Sequence, residues 1–471
     1  MSILTPDLCV IGGGSGGLSV AAGAVQMGAS VVLIEGHKMG GDCLNYGCVP
    51  SKALLAAGKA AKAMTSGAPF GVTPVEPQVD YAAAKDHVAK VIATIEPHDS
   101  PERFESLGCT VIQEMAEFTG PTEVKAGEHT IRARRFVVAT GSRPWTPPIP
   151  GLDEVGFHTN ETIFDLRERP DRLLVIGGGP IGLEMAQAHR RLGCEVTVLE
   201  AFKALGKDDP ELAAIALDNL RAEGIDIREG AAVESARKDG DDVVLTLKGG
   251  EEVRGDLILA AVGRRANVEK LNLEAAGIET TKAGIKVDKG LRTTNRKVYA
   301  IGDVNGGLQF THVAGYQAGL VIRSALYRLP VTNRTDHIPW TTYTDPEMAQ
   351  VGMTEAQARE AHGDKLEVHR SEYSGNDRAI SEGRTVGLCK VMIVKGKPVG
   401  ASIVGERAGD LISIWALAIS KGLKIADVAG YVAPYPTYGE LPKRAAGAYF
   451  GPRLFESATV KRVVRWLAKL G

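Results

Sequence analysis

Residues 8–17 read Leu-Cys-Val-Ile-Gly-Gly-Gly-Ser-Gly-Gly, and this stretch determines the fold class of the chain. Its four apolar residues predict a buried strand, and its glycines match the pattern G-x-G-x-x-G at Gly12, Gly14 and Gly17. A helical stretch from Leu18 to Met27 follows, and then a second apolar strand from Ala29 to Ile34. In such a strand–helix–strand unit, glycines let the backbone approach a pyrophosphate, which the N-terminus of the helix attracts. The stretch therefore predicts a dinucleotide site.

The same unit recurs in the middle of the chain, with Gly177, Gly179 and Gly182 as the second G-x-G-x-x-G. In both copies the second strand ends at an acid, Glu35 or Glu200, which stands 18 positions after the last glycine. A carboxylate near this spacing is typical of a ligand for ribose hydroxyls. One glycine pattern alone is weak support. Two complete units predict an α/β protein with two Rossmann-like dinucleotide-binding domains.

The composition is that of a globular protein and argues against several partner classes. The 471 residues are enough for several domains, and 44% of them are apolar. A formal net charge of −2 gives no electrostatic reason to expect nucleic acid or an anionic membrane as a partner. No apolar run reaches the length of a membrane span, and the first residues do not match a secretory signal. Six cysteines are too few for a secreted disulfide scaffold, so we expect a cytoplasmic protein. From the charge and the apolar runs we expect no nucleic-acid or membrane partner.

The strongest chemical signal is a pair of cysteines, Cys43 and Cys48, within residues 40–52, which read Gly-Gly-Asp-Cys-Leu-Asn-Tyr-Gly-Cys-Val-Pro-Ser-Lys. Such a pair can be a metal clip, a structural disulfide or a redox couple. A zinc site is disfavoured because the sequence has no second such pair, so we expect no metal site. A structural disulfide is disfavoured because the chain is expected to be cytosolic. Pro50 suits the first turn of a helix, which would place Lys52 on the same face as Cys48. An ammonium there would lower the pKa of the thiol and favour a redox couple.

Residues 40–52 resemble the active-site signature of the pyridine nucleotide-disulfide oxidoreductases, the family of dihydrolipoamide dehydrogenase, glutathione reductase and mercuric reductase. Both dinucleotide motifs fall in the order of that family, and the resemblance covers essentially the whole chain. It implies that the first nucleotide fold holds FAD and that the second holds the nicotinamide coenzyme. It also implies that electrons reach Cys48, the thiol nearest the flavin, and that Cys43 exchanges with a small disulfide, dithiol or metal-ion substrate.

The resemblance extends to individual positions. Lys52 and Glu184 match an ion pair beside the flavin. The residues expected at FAD are Gly12, Gly14, Gly17, Glu35, Thr140, Gly141 and Asp303. The residues expected at the nicotinamide coenzyme are Gly177, Gly179, Gly182, Glu200 and Gly263. NAD is favoured over NADP because the carboxylate of Glu200 suits a free 2′-hydroxyl and because residues 201–209 contain no arginine.

The chain departs from the family near its C-terminus. Disulfide reductases and lipoamide dehydrogenases of the family carry His-Pro-Thr-x-x-Glu, whose His-Glu pair comes from the other subunit of a dimer and moves the substrate proton. Here residues 435–440 read Tyr-Pro-Thr-Tyr-Gly-Glu, so Glu440 is present but Tyr435 replaces the histidine. A phenol titrates at about 10 and accepts protons poorly at neutral pH, although it can donate one. Mercuric reductases are similar to the chain in having a tyrosine in that region, but they also carry a C-terminal cysteine pair that this chain lacks.

Three functions stay open on these residues. The first is an NADH-linked, FAD-dependent disulfide oxidoreductase most similar to dihydrolipoamide dehydrogenase, with Tyr435 and Glu440 among its catalytic residues. The second is a mercuric-reductase-like enzyme that reduces a metal ion or a small electrophile. The third is a flavoprotein subunit without turnover, which the intact Cys43, Cys48 and Lys52 argue against.

The motifs also divide the chain. We expect an FAD-binding domain at 1–150, an NAD(P)-binding domain at 151–268, a part that completes the FAD site at 269–336, and an α+β dimerisation domain of a homodimer at 337–471. Alternating apolar residues in 388–404 predict an antiparallel sheet in the last of these. The tail carries basic residues at helical spacing, which are interpreted as a solvated face: Lys461, Arg462, Arg465 and Lys469.

Overall fold

The computed structural model describes residues 2–470. The first layer of the fold is a parallel sheet of five strands. A second sheet of four strands shares a hydrophobic core with it. In spatial order, the strands of the first sheet are Val298–Ala300, Arg135–Val138, Leu8–Ile11, Val31–Ile34 and Thr110–Ile112. Those of the second are Ser2–Leu4, His129–Ile131, Glu123–Ala126 and Ala116–Gly120. A strand from late in the chain therefore completes a layer that begins near the N-terminus.

Helices cover this first sheet, and one of them begins earlier than its apolar pattern predicts. The predicted start is Leu18, whereas the helix runs Ser15–Gln26 and packs against Thr311–Tyr327. Gly17 lies inside this helix and has to be glycine, because a Cβ there would lie 1.8 Å from the carbonyl oxygen of Gly12. The other helices of this part are Gly41–Asn45, Cys48–Thr65, Tyr81–Ile95 and Pro101–Ser106.

The second nucleotide unit is a parallel sheet of four strands with a three-stranded antiparallel sheet beside it. The parallel strands are, in spatial order, Asp226–Glu229, Glu195–Glu200, Arg172–Ile176 and Leu257–Ala260. The antiparallel strands are Val233–Asp239, Asp242–Leu247 and Glu252–Gly255. The helices are Leu152–Val155, Pro180–Arg191 and Pro210–Ala222. A two-stranded ribbon of Ser142–Pro144 and Arg264–Ala266 joins this unit to the first.

The C-terminal part is the antiparallel sheet that the sequence predicts, and it has five strands. They are, in spatial order, Pro339–Thr342, Glu347–Gly352, Lys397–Gly405, Leu388–Val394 and Leu366–Glu372. Its helices are Glu355–His362, Asp377–Ser381, Ala408–Lys421, Ile425–Gly430, Glu440–Ala448 and Ala458–Leu467. The predicted fold class, two Rossmann-like units and an α+β C-terminal domain, is confirmed.

A pair of helices brings the two nucleotide units into direct contact. The helix Cys48–Thr65 packs so closely on Pro180–Arg191 that a Cβ at Gly58 would lie only 3.3 Å from the carbonyl oxygen of Ala188. This close approach places the cysteine region of the first unit against the second unit. Among the helices formed by residues 2–470, none is both long enough and apolar enough to cross a bilayer.

Candidate active site

A cavity of about 2300 Å³ connects the two nucleotide units and contains most of the predicted site. It is larger than the ~300–1,000 Å³ of an ordinary small-molecule pocket. The predicted residues that line it are Gly12, Gly14, Glu35, Cys43, Cys48, Lys52, Thr140, Gly141, Gly177, Gly179, Glu184, Glu200, Gly263 and Asp303. Gly17 and Gly182 lie behind the lining. Tyr435 and Glu440 do not line the cavity.

The two glycine turns have the same construction. Gly12 and Gly177 each have a φ of +111°, a left-handed value that favours glycine. A Cβ at Gly182 would lie 2.0 Å from the carbonyl oxygen of Gly177, as one at Gly17 would meet Gly12 at 1.8 Å. The last glycine of each motif thus serves close packing of helix on strand, while a Cβ at Gly179 would point into open space. These cradles fit a pyrophosphate at each helix N-terminus.

The two acids are held in the same way. The carboxylate of Glu35 accepts backbone N–H bonds from Gly13 at 2.6 Å and from His37 at 2.7 Å. Glu200 accepts them from Gly178 at 2.7 Å and from Phe202 at 2.9 Å. Both carboxylates are therefore fixed at the cavity wall, where ribose hydroxyls can reach them.

The residues that follow Glu200 in the chain include two lysines, although residues 201–209 contain no arginine. Lys203 and Lys207 line the cavity close to Glu200 in the chain. A lysine ammonium binds phosphate as a point charge. The predicted selection against a 2′-phosphate therefore depends on Glu200 itself, and the absence of arginine adds little to that prediction.

The predicted flavin contacts near Asp303 belong to a hydrogen-bonded network. Ser142 Oγ donates to Asp303 Oδ2 at 2.5 Å, and Arg264 Nε donates to the same Ser142 Oγ at 2.7 Å. Arg264 also lies 2.9 Å from Asp42 Oδ1, next to Cys43 in the chain. Burial raises the pKa of Asp303, and the bond from Ser142 opposes that rise. Sequence reasoning missed Ser142 and Arg264, which flank the predicted Gly141 and Gly263.

The cysteine pair is prepared for thiolate chemistry. Cys43 lies in the short helix Gly41–Asn45, and Cys48 is the first residue of Cys48–Thr65, so the predicted helix start is observed. A hydrogen bond from Cys43 lowers the pKa of the Cys48 thiol to about 6, aided by Thr311 and by the charge of Lys52 and opposed by burial. The pKa of Cys43 is raised, because its proton is shared with Cys48 and because it is partly buried. Both cysteines are free thiols, and Cys48 Sγ lies 3.4 Å from Thr311 Oγ1.

Lys52 is positioned by residues from two other parts of the chain, Glu184 and Tyr343. Its Nζ donates to Glu184 Oε2 at 2.7 Å, the pairing that the resemblance implies. The other oxygen of Glu184 accepts the backbone N–H of Tyr343 at 2.9 Å. The ammonium also lies 4.3 Å from the centre of the Tyr343 ring, a cation–π contact. Tyr343 and Thr311 were missed by sequence reasoning, since neither is near a recognised motif, although a hydroxyl at a helix start is a weak signal for Thr311.

The Tyr435 segment is arranged differently. The side chain of Tyr435 is 71% exposed, and its phenol donates to Asp377 Oδ2 at 2.9 Å. This bond raises the pKa of Tyr435, so the phenol keeps its proton at neutral pH. Within residues 2–470, Glu440 Oε2 is buried and has no hydrogen-bond partner. Asp377 could not be found from the sequence, because it lies 58 positions before Tyr435.

Potential metal ligands are numerous in the sequence but are not clustered within residues 2–470. In the part of the chain that the structure describes, no group of three or more His, Cys, Asp or Glu side chains is placed to hold a metal ion.

Comparison with known proteins points to one family. The family described as Pyridine nucleotide-disulphide oxidoreductase matches residues 6–318, and its dimerisation domain matches residues 338–446. Mercuric reductase of Streptomyces lividans is 35% identical over 455 residues, which cover 94% of this chain and 96% of that protein. Dihydrolipoyl dehydrogenase of Thermus scotoductus is 36% identical over 469 residues, covering 94% and 97%. A similar solved structure is the Cu(II) complex of the HOCl-induced flavoprotein disulfide reductase RclA from Escherichia coli, with a TM-score of 0.83 and 27% sequence identity. The superposition covers 93% of this chain and 98% of that chain.

Proposed function

The chain belongs to the pyridine nucleotide-disulphide oxidoreductase family, and we propose that it is an NADH-dependent reductase that transfers electrons through Cys48 and Cys43 to a thiol-binding metal ion. Enzymes of this family are FAD-dependent and use NAD(P)H. The observation that carries the choice of acceptor is Tyr435, which stands where disulfide reductases of the family have a histidine. A protonated phenol bonded to Asp377 is a poor base.

The cysteine pair would bind the acceptor. At neutral pH Cys48 is a thiolate, because Cys43, Thr311 and Lys52 all favour its charged form. The flavin, when bound, carries electrons between NADH and this pair. Glu184 holds the ammonium of Lys52 in place near the thiol of Cys48. A soft divalent ion such as Hg(II) would displace the remaining proton of Cys43 to solvent and bind both sulfurs.

The electron and proton balance favours a metal acceptor. NADH gives up two electrons and leaves one proton in solution, and Hg(II) takes both electrons without taking a proton. With Cu(II), two ions take one electron each. Neither reaction needs a side chain that accepts or delivers a proton at the acceptor. The solved relative from Escherichia coli was obtained as a Cu(II) complex, which supports a metal ion as a candidate here.

A second candidate is reduction of a small disulfide, because the exposed phenol of Tyr435 carries a proton at neutral pH that it could donate. Attack of a thiolate on a disulfide expels a second thiolate, which must be protonated. The matched dimerisation domain suggests a homodimer. In such a dimer the partner subunit's Tyr435 could supply that proton. The six cysteines are too few for a secreted disulfide scaffold, so we place the enzyme in the cytoplasm.

An acceptor screen tests the proposal. The FAD-loaded enzyme is mixed anaerobically with NADH and then with Hg(II), Cu(II), lipoamide or glutathione disulfide, and NADH oxidation is followed. We expect turnover with a metal ion to exceed turnover with either disulfide, and we expect Cys43→Ser and Cys48→Ser to abolish it. Faster turnover with a disulfide, lost in Tyr435→Phe, would replace the first candidate by the second.

A further inference from the structure

The C-terminal helix Ala458–Leu467 is unlike the other long helices of the chain, because none of its residues is buried. It comes after the segment 338–446 that matches the dimerisation domain. Large apolar side chains of this helix and of the residues after it stand in solvent: Val463 is 48% exposed, Val464 58%, Leu467 51% and Leu470 66%. A helix with such a surface has an unpartnered face.

The apolar residues share one face of the helix. At 3.6 residues per turn, positions spaced by three, four and seven lie together, and these are Val460, Val463, Val464 and Leu467. Leu470 extends the same face by a turn. The opposite face carries the four basic residues of the tail, Lys461, Arg462, Arg465 and Lys469. The interpretation of these charges as a solvated face explains them, but it leaves the apolar face without a role.

Two neighbouring features enlarge this surface. Trp466 is 60% exposed and lies at the border between the apolar and the basic face. The turn before the helix adds Leu454 and Phe455, which form an apolar cleft together with Val460 and Val464. Tryptophan at such a border is typical of side chains that sit at the boundary between water and lipid.

We propose that residues 452–470 bind the surface of an anionic lipid bilayer, with the helix lying flat and its apolar face in the headgroup and acyl boundary. A helix of large amphipathicity with basic residues on its polar face and Val, Leu, Phe and Trp on the other is the type that binds in this way. Residues 457–470 contain four basic and no acidic side chains, whereas the whole chain has a net charge of −2. Anionic lipid supplies the counter-charge that the helix itself lacks.

A second copy of the helix is a poorer occupant. Pairing two such helices would cover their apolar faces but leave the basic face of each copy turned outward, without an acidic partner from the other helix. An anionic bilayer accounts for both faces at once. The absence of a membrane-crossing helix among residues 2–470 does not bear on this attachment, because the helix would lie on the bilayer and not span it.

A flotation assay tests this inference on the full-length, FAD-loaded enzyme. Vesicles of phosphatidylcholine mixed with phosphatidylglycerol are compared with vesicles of pure phosphatidylcholine. We expect recovery with the mixed vesicles, release by salt, and at least about tenfold weaker binding to the neutral ones. The emission of Trp466 should shift to the blue on binding, and this shift should be absent in Trp466→Phe.

Matched variants separate the two faces. Leu467→Glu and Val464→Glu place a charge on the apolar face and should weaken binding by about tenfold or more. Arg465→Gln and Lys469→Gln should each weaken it by about fivefold, and only for anionic vesicles. Val75→Glu is the control, because Val75 is 55% exposed but lies outside the helix, so its variant should bind as the wild type does. NADH turnover should be unchanged in all of these variants.

Three results would overturn the inference. One is equal binding to neutral and anionic vesicles, and another is an equal loss of binding in Val75→Glu. The third is dissociation of the dimer by Leu467→Glu in sedimentation velocity, which would show that a second copy covers the apolar face. None of these results would bear on the cysteine chemistry, which the acceptor screen tests separately.

Discussion

The surroundings of Cys48 and of Tyr435 are built in opposite ways. Around Cys48, residues from distant parts of one chain are already in contact, with Lys52 at 2.7 Å from Glu184 and Thr311 at 3.4 Å from the sulfur. Tyr435, in contrast, stands in solvent with a single hydrogen bond, to Asp377. The residues around Cys48, which we call the electron-input side, are therefore brought together by the folding of one chain. The surroundings of Tyr435, which we call the acceptor side, would be completed by the partner subunit of the suggested homodimer.

If the electron-input side is complete, Cys48, the thiol expected nearest the flavin, cannot be replaced without loss of activity. We expect Cys48→Ser to lower turnover with every acceptor by about a thousandfold or more, because the thiolate is removed outright. The experiment is anaerobic stopped-flow with NADH, in which the long-wavelength thiolate–flavin absorbance should also vanish. Cys109→Ser is the matched control, since Cys109 is a buried free thiol away from the cavity. Retention of that absorbance in Cys48→Ser would mean that the pair is not the redox centre.

The charge of Lys52 should appear in the pH dependence. Thiolate accumulates above the pKa of Cys48, about 6, so wild-type activity should rise through that pH and then level off. Lys52→Met removes a cation that favours the thiolate, so the pKa should rise and the whole curve should move to higher pH. Lys52 contributes less to the lowered pKa than the bonds from Cys43 and Thr311, so we expect about twofold less activity at neutral pH, recovered above pH ~8.

The control for this variant is on the same helix. Lys62→Met removes a cation farther along Cys48–Thr65 and should leave the pH profile in place. A profile for Lys52→Met that falls uniformly at all pH values would show that Lys52 acts by supporting the structure and not by its charge on the thiol.

The two nucleotide loops permit a comparison within the electron-input side. Glu35 and Glu200 have the same backbone contacts, so the same substitution can be made in each. Glu200→Gln removes the charge that repels a 2′-phosphate and should reduce the preference for NADH over NADPH by about tenfold, helped by Lys203 and Lys207. Glu35→Gln should leave that preference unchanged and weaken FAD retention. Steady-state kinetics with both coenzymes and flavin release on dilution measure the two effects, and an unchanged preference in Glu200→Gln would refute the assignment of Glu200.

Local signals explain why the sequence predicts the electron-input side so well. The glycine turns, their acids and the step from Cys48 to Lys52 all depend on residues close together in the chain. Thr311 could not be inferred in this way, because 263 positions separate it from Cys48 and only packing brings them together. The same holds for Tyr343, which reaches Lys52 through the interface between the C-terminal sheet and the helices. The start of the helix after Gly14 could not be read from apolar periodicity, because its first residues, Ser15, Gly16 and Gly17, have no large apolar side chains.

The acceptor side should show the smallest effect if the acceptor is a metal ion. Tyr435→Phe removes the phenol and its bond to Asp377 but keeps the ring. Because metal reduction needs no proton at the acceptor, we expect NADH-dependent reduction of Hg(II) or Cu(II) to change by less than about twofold. Tyr438→Phe is the control, since the phenol of Tyr438 also donates to a carboxylate, Glu382 at 2.8 Å, but its ring is buried. That variant should lower the melting temperature more than the activity. A loss of tenfold or more in Tyr435→Phe, together with disappearance of the fall in activity at alkaline pH, would identify the phenol as a proton donor and so favour a disulfide as the acceptor.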